Sequence, residues 1–361
     1  MFERRLYHHI DWVLIGAVLA ICALGLAMIY SATGGASRVY WTQVYALGLG
    51  LVAMMICLAV DYRSLADKSH WIYLAMMLLL AGVLFFGAVR GGSRRWIDLG
   101  SLNLQPSEFA KAVLALMLAK MLGEERRPAL TNNDLFIAAS LTAVPFLLIV
   151  RQPDLGTAAT LLPILLVVAY VAGMPMKYVY IGALVAVLAA PIAYRFALQD
   201  YQRERIATFL DPAQDPRGAG YQQIQARITV GSGGMWGKGF MEGTQGQLRF
   251  LPVSHNDFIF SVLAEEQGLV GVLVALGLYL FVIMRALEAA RLAKDRLGAY
   301  LVLGVLSSFT FQVIYNITMS AGLAPVKGLT LPLMSYGGSS MIATLAGFGL
   351  ILNVRMRRFT N

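Results

Sequence analysis

Residues 12–30 read WVLIGAVLAICALGLAMIY and contain no charged side chain. A run of about 20 apolar residues is long enough to cross the hydrocarbon core of a bilayer as a helix. Similar runs recur along the chain, and short polar stretches separate them. The pattern predicts an all-α polytopic membrane protein. Its first apolar run is too long for a typical signal-peptide core, so we expect it to be retained.

Composition supports the membrane assignment. The chain is 58% hydrophobic and 14% charged, whereas soluble domains carry about 45–50% apolar and about 25% charged residues. Its net charge of +9 is typical of basic cytoplasmic loops. The sequence has no basic run interleaved with aromatics, which excludes a nucleic-acid partner. The only cysteines, Cys22 and Cys57, lie in apolar runs and predict neither a disulfide framework nor a zinc site.

The apolar runs predict about ten transmembrane helices. They cover residues 11–31, 40–60, 71–89, 106–122, 134–150, 155–172, 178–197, 257–284, 298–320 and 336–353. Lys and Arg in the short loops, including Arg4, Arg5, Arg126 and Arg127, place both termini in the cytoplasm. Residues 1–361 then form a single transmembrane domain. A long extracytoplasmic loop, 198–256, precedes the eighth helix, and we expect a partner or substrate to order it.

Three groups of polar residues stand out on the predicted outer side. Glu108 and Lys111, at i,i+3 on the fourth span, share a helix face; they form either a structural ion pair or part of a cavity wall. A cluster of three arginines occupies one outer loop. The cluster is either solvated or forms a binding site for a phosphate group. Its members are Arg90, Arg94 and Arg95.

Asp257 lies where the long loop enters the eighth span, with Glu265 and Glu266 deeper in the helix. A partly desolvated carboxylate at this position is a candidate general base. The alternative is an N-cap for the helix, which Asp also favours. The residues alone leave both alternatives open.

These features accompany an ordered set of motifs that resembles the SEDS family (shape, elongation, division and sporulation proteins). The motifs are Arg95-Trp96-Ile97, Gln105 to Glu108 with Lys111, Gln152 to Thr157, Gly231 to Gly239, Leu251-Pro252 with His255 and Asp257, Gly328 to Leu333, and Ser335 to Ser340. Residues 243–252 are similar to the rod-shape elongation branch of the family. Residues 327–332 look more like the division branch.

The resemblance implies a peptidoglycan glycosyltransferase of the bacterial inner membrane. It would polymerise lipid II with inversion at the sugar and release undecaprenyl diphosphate. The family's essential aspartate corresponds to Asp257, which would deprotonate the acceptor 4-hydroxyl. The substrate-binding candidates are Glu108, Lys111, Arg94, Arg95, Arg151, Asp154, His255, Lys327 and Ser339. The implied partners are a class B penicillin-binding protein, which is a transpeptidase, and other membrane proteins of the elongation complex.

The sequence demands no cofactor, since it contains no metal-ligand cluster, although an Mg²⁺ or Mn²⁺ ion held by Asp257 is compatible with the reaction. Two other functions would also require a polytopic protein: a lipid II flippase and a scaffold for partner proteins. A flippase needs a polar path across the whole membrane, whereas the charged residues of the predicted spans cluster near the outer side. A scaffold would not need Glu108, Lys111 or Asp257.

Overall fold

A computed structural model describes residues 9–90, 93–98, 100, 103–124, 130–215, 218–247, 250–251 and 254–359. These ranges do not include five residues named in the predictions above: Arg4, Arg5, Arg126, Arg127 and Pro252. The helices before residue 200 are α1 (Trp12–Ala32), α2 (Arg38–Ala59), α3 (Tyr62–Asp67), α4 (Ser69–Phe86), α5 (Pro106–Glu124), α6 (Asn132–Arg151), α7 (Leu155–Ala159), α8 (Leu161–Val171) and α9 (Met176–Ile192). The later ones are α10 (Asp200–Leu210), α11 (Ala219–Ser232), α12 (Thr244–Gln247), α13 (Ile259–Arg291), α14 (Arg296–Ser320) and α15 (Gly338–Met356). A π-helical turn, Ala193–Ala197, follows α9, and 3₁₀ turns lie at Pro212–Gln214 and Arg357–Phe359.

The all-α polytopic architecture is confirmed. Within the described residues, 8 helices are long and apolar enough to cross a membrane: α1, α2, α4, α6, α9 with its π turn, α13, α14 and α15. The other two predicted spans are also helical. Helix α5 carries Glu108, Lys111 and Lys120, which lower its hydropathy. The predicted 155–172 span is divided at Thr160 into α7 and α8.

A small antiparallel sheet, which the sequence did not predict, follows α4. Its strands are β1 (Ala88–Arg90), β2 (Ser93–Asp98) and β3 (Asn103–Leu104), in the order β1-β2-β3. Arg90 pairs with Ser93, and Asp98 pairs with Asn103. Arg94 and Arg95 therefore lie on a strand, β2, which packs against α5.

Helix α14 lies at the centre of the bundle, packed against α5, α8 and α13, and α15 packs along α2. Because most of the polar side chains fall at the helix ends, the bundle has two polar ends. We call the end that holds Ser31 and Asp257 the outer end, following the predicted orientation. The end that holds Asp11 and Arg355 is the inner end.

The outer segment 198–256 contains helices α10, α11 and α12, so much of it has regular structure. Its glycine-rich stretch packs against a break in α13 at Gly268, where φ is 63°. The backbone N–H groups of Leu269 and Val270, just after the break, donate to Gly234 and Met235 at 2.9 and 3.2 Å. The stretch thereby satisfies donors that the interrupted helix would leave unpaired.

Charged side chains reinforce the same junction. Glu265 is completely buried and accepts a hydrogen bond from Lys238 Nζ at 2.6 Å. Ser31 at the end of α1 donates to Glu266. These contacts attach the glycine-rich stretch to α13 and α13 to α1.

Candidate functional site

Asp257 occupies the turn immediately before α13, with Phe258 as the helix N-cap, and no side chain caps the helix. The N-cap alternative for Asp257 is therefore wrong. Its side chain is half-buried at the base of two cavities. Its backbone carbonyl accepts a hydrogen bond from Asn316 Nδ2 at 2.9 Å.

Two cavities meet at Asp257, with volumes of about 720 Å³ and about 400 Å³. Arg95, Asp154, Asp257 and Gly328 line both of them. The residues that line only the larger cavity include Gln199, Gln202, Arg205, Pro325 and Lys327. Those that line only the smaller cavity include Glu108, Gln105, Asn103, Thr330, Tyr336, Ser339 and Ser340. The larger cavity is thus the cationic one, and hydroxyl and amide groups dominate the smaller one.

Asp154 organises the wall between the cavities. As the N-cap of α7, it accepts hydrogen bonds from the backbone N–H and the hydroxyl of Thr157, at 3.0 and 2.9 Å. Gln105 Nε2 donates to the same carboxylate at 2.8 Å, and Arg95 forms an ion pair with it at 3.2 Å. With these partners, Asp154 orients Arg95 next to Asp257.

Ser339, in the first turn of α15, closes the smaller cavity. Its hydroxyl accepts from the Gln105 backbone N–H at 2.8 Å and donates to the Asn103 carbonyl at 2.7 Å. Gln43 of α2 supports this wall. Its Nε2 donates to Ser335 O and its Oε1 accepts from Gly337 N, both at 3.1 Å. The motif around Ser339 therefore joins α15 to β3 and α5 at the site.

The pairing of Glu108 with Lys111 is confirmed: Lys111 Nζ lies 2.8 Å from Glu108 Oε2, and both side chains are buried. Lys111 Nζ also donates to Gln312 Oε1 at 2.9 Å. Glu108 lines the smaller cavity, whereas Lys111 lies behind it, inside the bundle.

The electrostatics of the site suit proton transfer. Burial raises the pKa of the Asp257 carboxyl to about 6, against the opposing effect of Arg205 and Arg95, and Asp154 raises it further. Burial, and to a smaller extent Arg205, lowers the pKa of Lys327. Asp257 can therefore change protonation state near neutral pH, which is the range that favours a general base.

Six of the candidate residues meet around the two cavities: Glu108, Arg95, Asp154, Asp257, Lys327 and Ser339. Four others do not contribute to either lining: Lys111, which lies behind the smaller cavity, and Arg94, Arg151 and His255. Arg94 is exposed and donates to Phe85 O at 3.4 Å. Arg151 is exposed at the end of α6. The rings of His255 and Tyr336 form a T-shaped pair with centroids 5.7 Å apart, and burial lowers the pKa of His255.

Sequence reasoning did not select Arg205, Gln312 or Asn316 for the site. Arg205 is one of several basic residues of the outer segment, and nothing in the sequence distinguishes it from them. Gln312 and Asn316 lie inside a predicted span, four residues apart, and polar side chains at helical spacing within an apolar run were the signal that could have found them.

No group of three or more His, Cys, Asp or Glu side chains suited to a metal occurs in the described part of the chain. Asp154, which lines both cavities with Asp257, already binds Gln105, Thr157 and Arg95. The protein groups at the site therefore do not form a metal cage by themselves.

The cell cycle protein family model that comprises FtsW, RodA and SpoVE matches residues 11–359. The chain belongs to this family. The chain is 39% identical over 350 residues to the peptidoglycan glycosyltransferase MrdB of Escherichia coli K12, covering 97% of this chain and 94% of the relative. It is 35% identical to the probable peptidoglycan glycosyltransferase FtsW of Geobacter metallireducens, over 96% and 95% of the two chains.

Solved structures of this family share the fold. A peptidoglycan synthase complex that coordinates polymerization and crosslinking contains a chain with a TM-score of 0.86 and 38% identity, with 98% of this chain and 99% of that chain covered. The rod shape determining protein RodA of Thermus thermophilus has a TM-score of 0.74 and 35% identity, with 98% of each chain covered. The resemblance to the SEDS family is thereby confirmed over nearly the whole length.

Proposed function

We propose that this family member is a peptidoglycan glycosyltransferase that polymerises lipid II for cell elongation, with Asp257 as the general base. The observation that carries the proposal is the position of Asp257 at the junction of a cavity lined by Arg95, Arg205 and Lys327 and a smaller cavity rich in hydroxyl and amide groups. A glycosyl transfer from a lipid diphosphate needs both environments next to a single base.

In the proposed step, the Asp257 carboxylate removes the proton from the 4-hydroxyl of the acceptor sugar. The hydroxyl oxygen attacks C1 of the donor sugar, and the bond from C1 to the diphosphate oxygen breaks on the opposite face, which inverts C1. Undecaprenyl diphosphate leaves with the bonding electron pair. A diphosphate is a good leaving group, so no general acid comparable to that of a glycoside hydrolase is required.

We assign the diphosphate to the larger cavity because Arg95, Arg205 and Lys327 line it. Cations at this place stabilise the negative charge that develops on the leaving group. The acceptor sugar fits the smaller cavity, whose hydroxyl and amide side chains match the hydroxyl groups of a saccharide. Asp257 lies between them, where the new bond forms.

The proposal requires no resident cofactor. A Mg²⁺ or Mn²⁺ ion commonly binds through one or two carboxylates together with substrate phosphates. Asp257 would be the carboxylate that holds such an ion here, and the ion would add positive charge near the diphosphate. Arg95, Arg205 and Lys327 supply the positive charge of the protein itself.

The setting of the proposed reaction is the bacterial inner membrane, with a class B penicillin-binding protein as partner. The elongation assignment rests on the similarity to MrdB and RodA. The partner assignment rests on the similarity to a chain of a synthase complex that coordinates polymerization with crosslinking.

Reconstitution in liposomes tests the proposal. The full chain is incubated with lipid II, with and without a class B penicillin-binding protein, and glycan strands and lipid II translocation are measured separately. We expect strands from the wild-type chain and about 10²–10⁴-fold less synthesis from Asp257→Asn. Translocation without strands, unaffected by Asp257→Asn, would support a flippase and overturn the glycosyltransferase.

A further inference from the structure

Helix α14 carries two buried amide side chains that donate hydrogen bonds to backbone carbonyls around the site. Gln312 and Asn316 are four residues apart and therefore share one face of the helix. Their residues are 1% and 0% exposed. Both point at residues 328–330, a segment that separates α14 from α15 and lines the cavities; we call it the wall loop.

Asn316 connects the wall loop to the catalytic turn. Its Nδ2 donates to Leu329 O at 2.7 Å and to the carbonyl of Asp257 at 2.9 Å. Because one amide group bridges the two backbones, the distance between them depends on this side chain. On the other side of the loop, a Cβ at Gly328 would lie only 3.7 Å from Asp257 Oδ2, and φ of Gly328 is 69°.

Gln312 connects the same loop to the buried ion pair of α5. Its Nε2 donates to Thr330 O at 3.1 Å, and its Oε1 accepts from Lys111 Nζ at 2.9 Å. Lys111 in turn holds Glu108 at 2.8 Å. A continuous chain of contacts therefore runs from the Glu108–Lys111 pair through Gln312 to the wall loop and, through Asn316, to Asp257.

We propose that Gln312 and Asn316 are positioning residues for the transfer reaction, and that Lys111 acts on Asp257 through them. This inference rests on the proposed function of Asp257. Asn316 fixes where the Asp257 backbone lies relative to both cavities. Through Gln312, the Glu108–Lys111 pair has a role that needs no contact with substrate. Lys111 orients the Gln312 amide, and that amide holds the wall loop.

The bundle offers a matched control at its inner end. Asn353 of α15 is also completely buried, and its Nδ2 donates to three backbone carbonyls at the C-terminal end of α2. The carbonyls belong to Cys57, Leu58 and Val60, at 3.0, 2.8 and 2.6 Å. Asn353 thus has the same chemistry and burial as Asn316 but lies at the opposite end from Asp257.

The experiment compares Asn316→Ala with Asn353→Ala in the purified full chain, with lipid II as substrate. Thermal midpoint, kcat per folded molecule and KM for lipid II are measured. We expect both variants to lose thermal stability, and only Asn316→Ala to lose kcat, by roughly 10–100-fold, since displacement of a reacting group by about 1 Å has an effect of this size. KM should change little. Asn316→Ser, which retains one donor, should recover part of kcat.

Gln312→Met and Lys111→Met test the connection to the ion pair and do not depend on the folding of the Asn316 variants. If Lys111 acts through Gln312, the double variant should lose no more kcat than the worse single variant, because coupled residues are not additive. Additive losses, or an unchanged kcat in Gln312→Met and the Asn316 variants, would overturn the inference. Wild-type synthesis together with an inactive Asp257→Asn would still leave the proposed function intact in that case.

Discussion

The two polar ends of the bundle contain the same kinds of side chains in different arrangements. At the inner end, Asp11 is bound by Arg285 at 2.9 Å and by Arg355 at 2.6 Å. At the outer end, Asp257 lines both cavities, and Arg205 lines the larger one. Charges that are matched by direct contacts stabilise helix packing, whereas charges arranged around a cavity have space for a ligand between them.

The largest difference should appear when the two carboxylates are neutralised. Asp257→Asn is expected to reduce glycan synthesis from lipid II by about 10²–10⁴-fold, the range for loss of a general base. Its thermal midpoint at pH 7.5 should be equal to or above that of the wild type. The reason is that the folded pKa is raised to about 6, so the ionised carboxylate destabilises the fold at higher pH.

Asp11→Asn should show the reverse pattern. It keeps the capacity to cap α1 but loses the charge that Arg285 and Arg355 share. We expect the free energy of unfolding to fall by about 1–3 kcal/mol, with kcat per folded molecule unchanged. Near-normal synthesis by Asp257→Asn, or a loss of kcat in Asp11→Asn, would contradict the distinction between the two ends.

Arginines at the two ends provide the next comparison. Arg205→Gln should lower kcat by up to about 10²-fold, because one of the cations proposed to stabilise the leaving diphosphate is lost while Arg95 and Lys327 remain. Arg63→Gln removes an inner ion pair to Asp295 whose side chains are 38% and 34% exposed. Such a pair contributes about 0–1 kcal/mol, so only a small change in thermal midpoint is expected. Equal kcat in the two variants would argue against a diphosphate at Arg205.

The pH dependence of the rate should reveal Asp257. Since only the ionised carboxylate accepts a proton, kcat/KM should fall as the pH is lowered through about 6. Arg205 lowers this pKa, so Arg205→Gln should move the acidic limb to higher pH, whereas Arg63→Gln should leave it in place. An acidic limb near pH 4, or one that does not respond to Arg205→Gln, would show that another group controls the rate.

The smallest effect concerns the outer segment. Its glycine-rich stretch is bound to α13 through Leu269 N, Val270 N and Lys238, whereas α10 supplies Arg205 to the larger cavity. In hydrogen exchange with and without the penicillin-binding partner, we expect added protection in residues 200–210 and little change in residues 233–239. Equal, strong protection of both stretches in both samples would make the whole segment a static wall.

The membrane-spanning helices could be predicted from the sequence because a long apolar run in lipid must satisfy its own backbone hydrogen bonds, which a helix does. The i,i+3 contact of Glu108 with Lys111 is likewise a local property of one helix. Asp257 was found because its position at a loop–helix boundary is visible in the sequence. Even so, the residues alone left its capping and catalytic roles equally open.

The rest depended on contacts between distant parts of the chain. The sheet that positions Arg95 consists of short strands with no clear alternation, and Arg205 lies in a polar segment with many similar residues. Gln312 and Asn316 become informative only when α14 faces the wall loop. Local periodicity therefore determined which segments are helices, and tertiary packing decided which polar groups surround Asp257, since that depends on how separate helices meet.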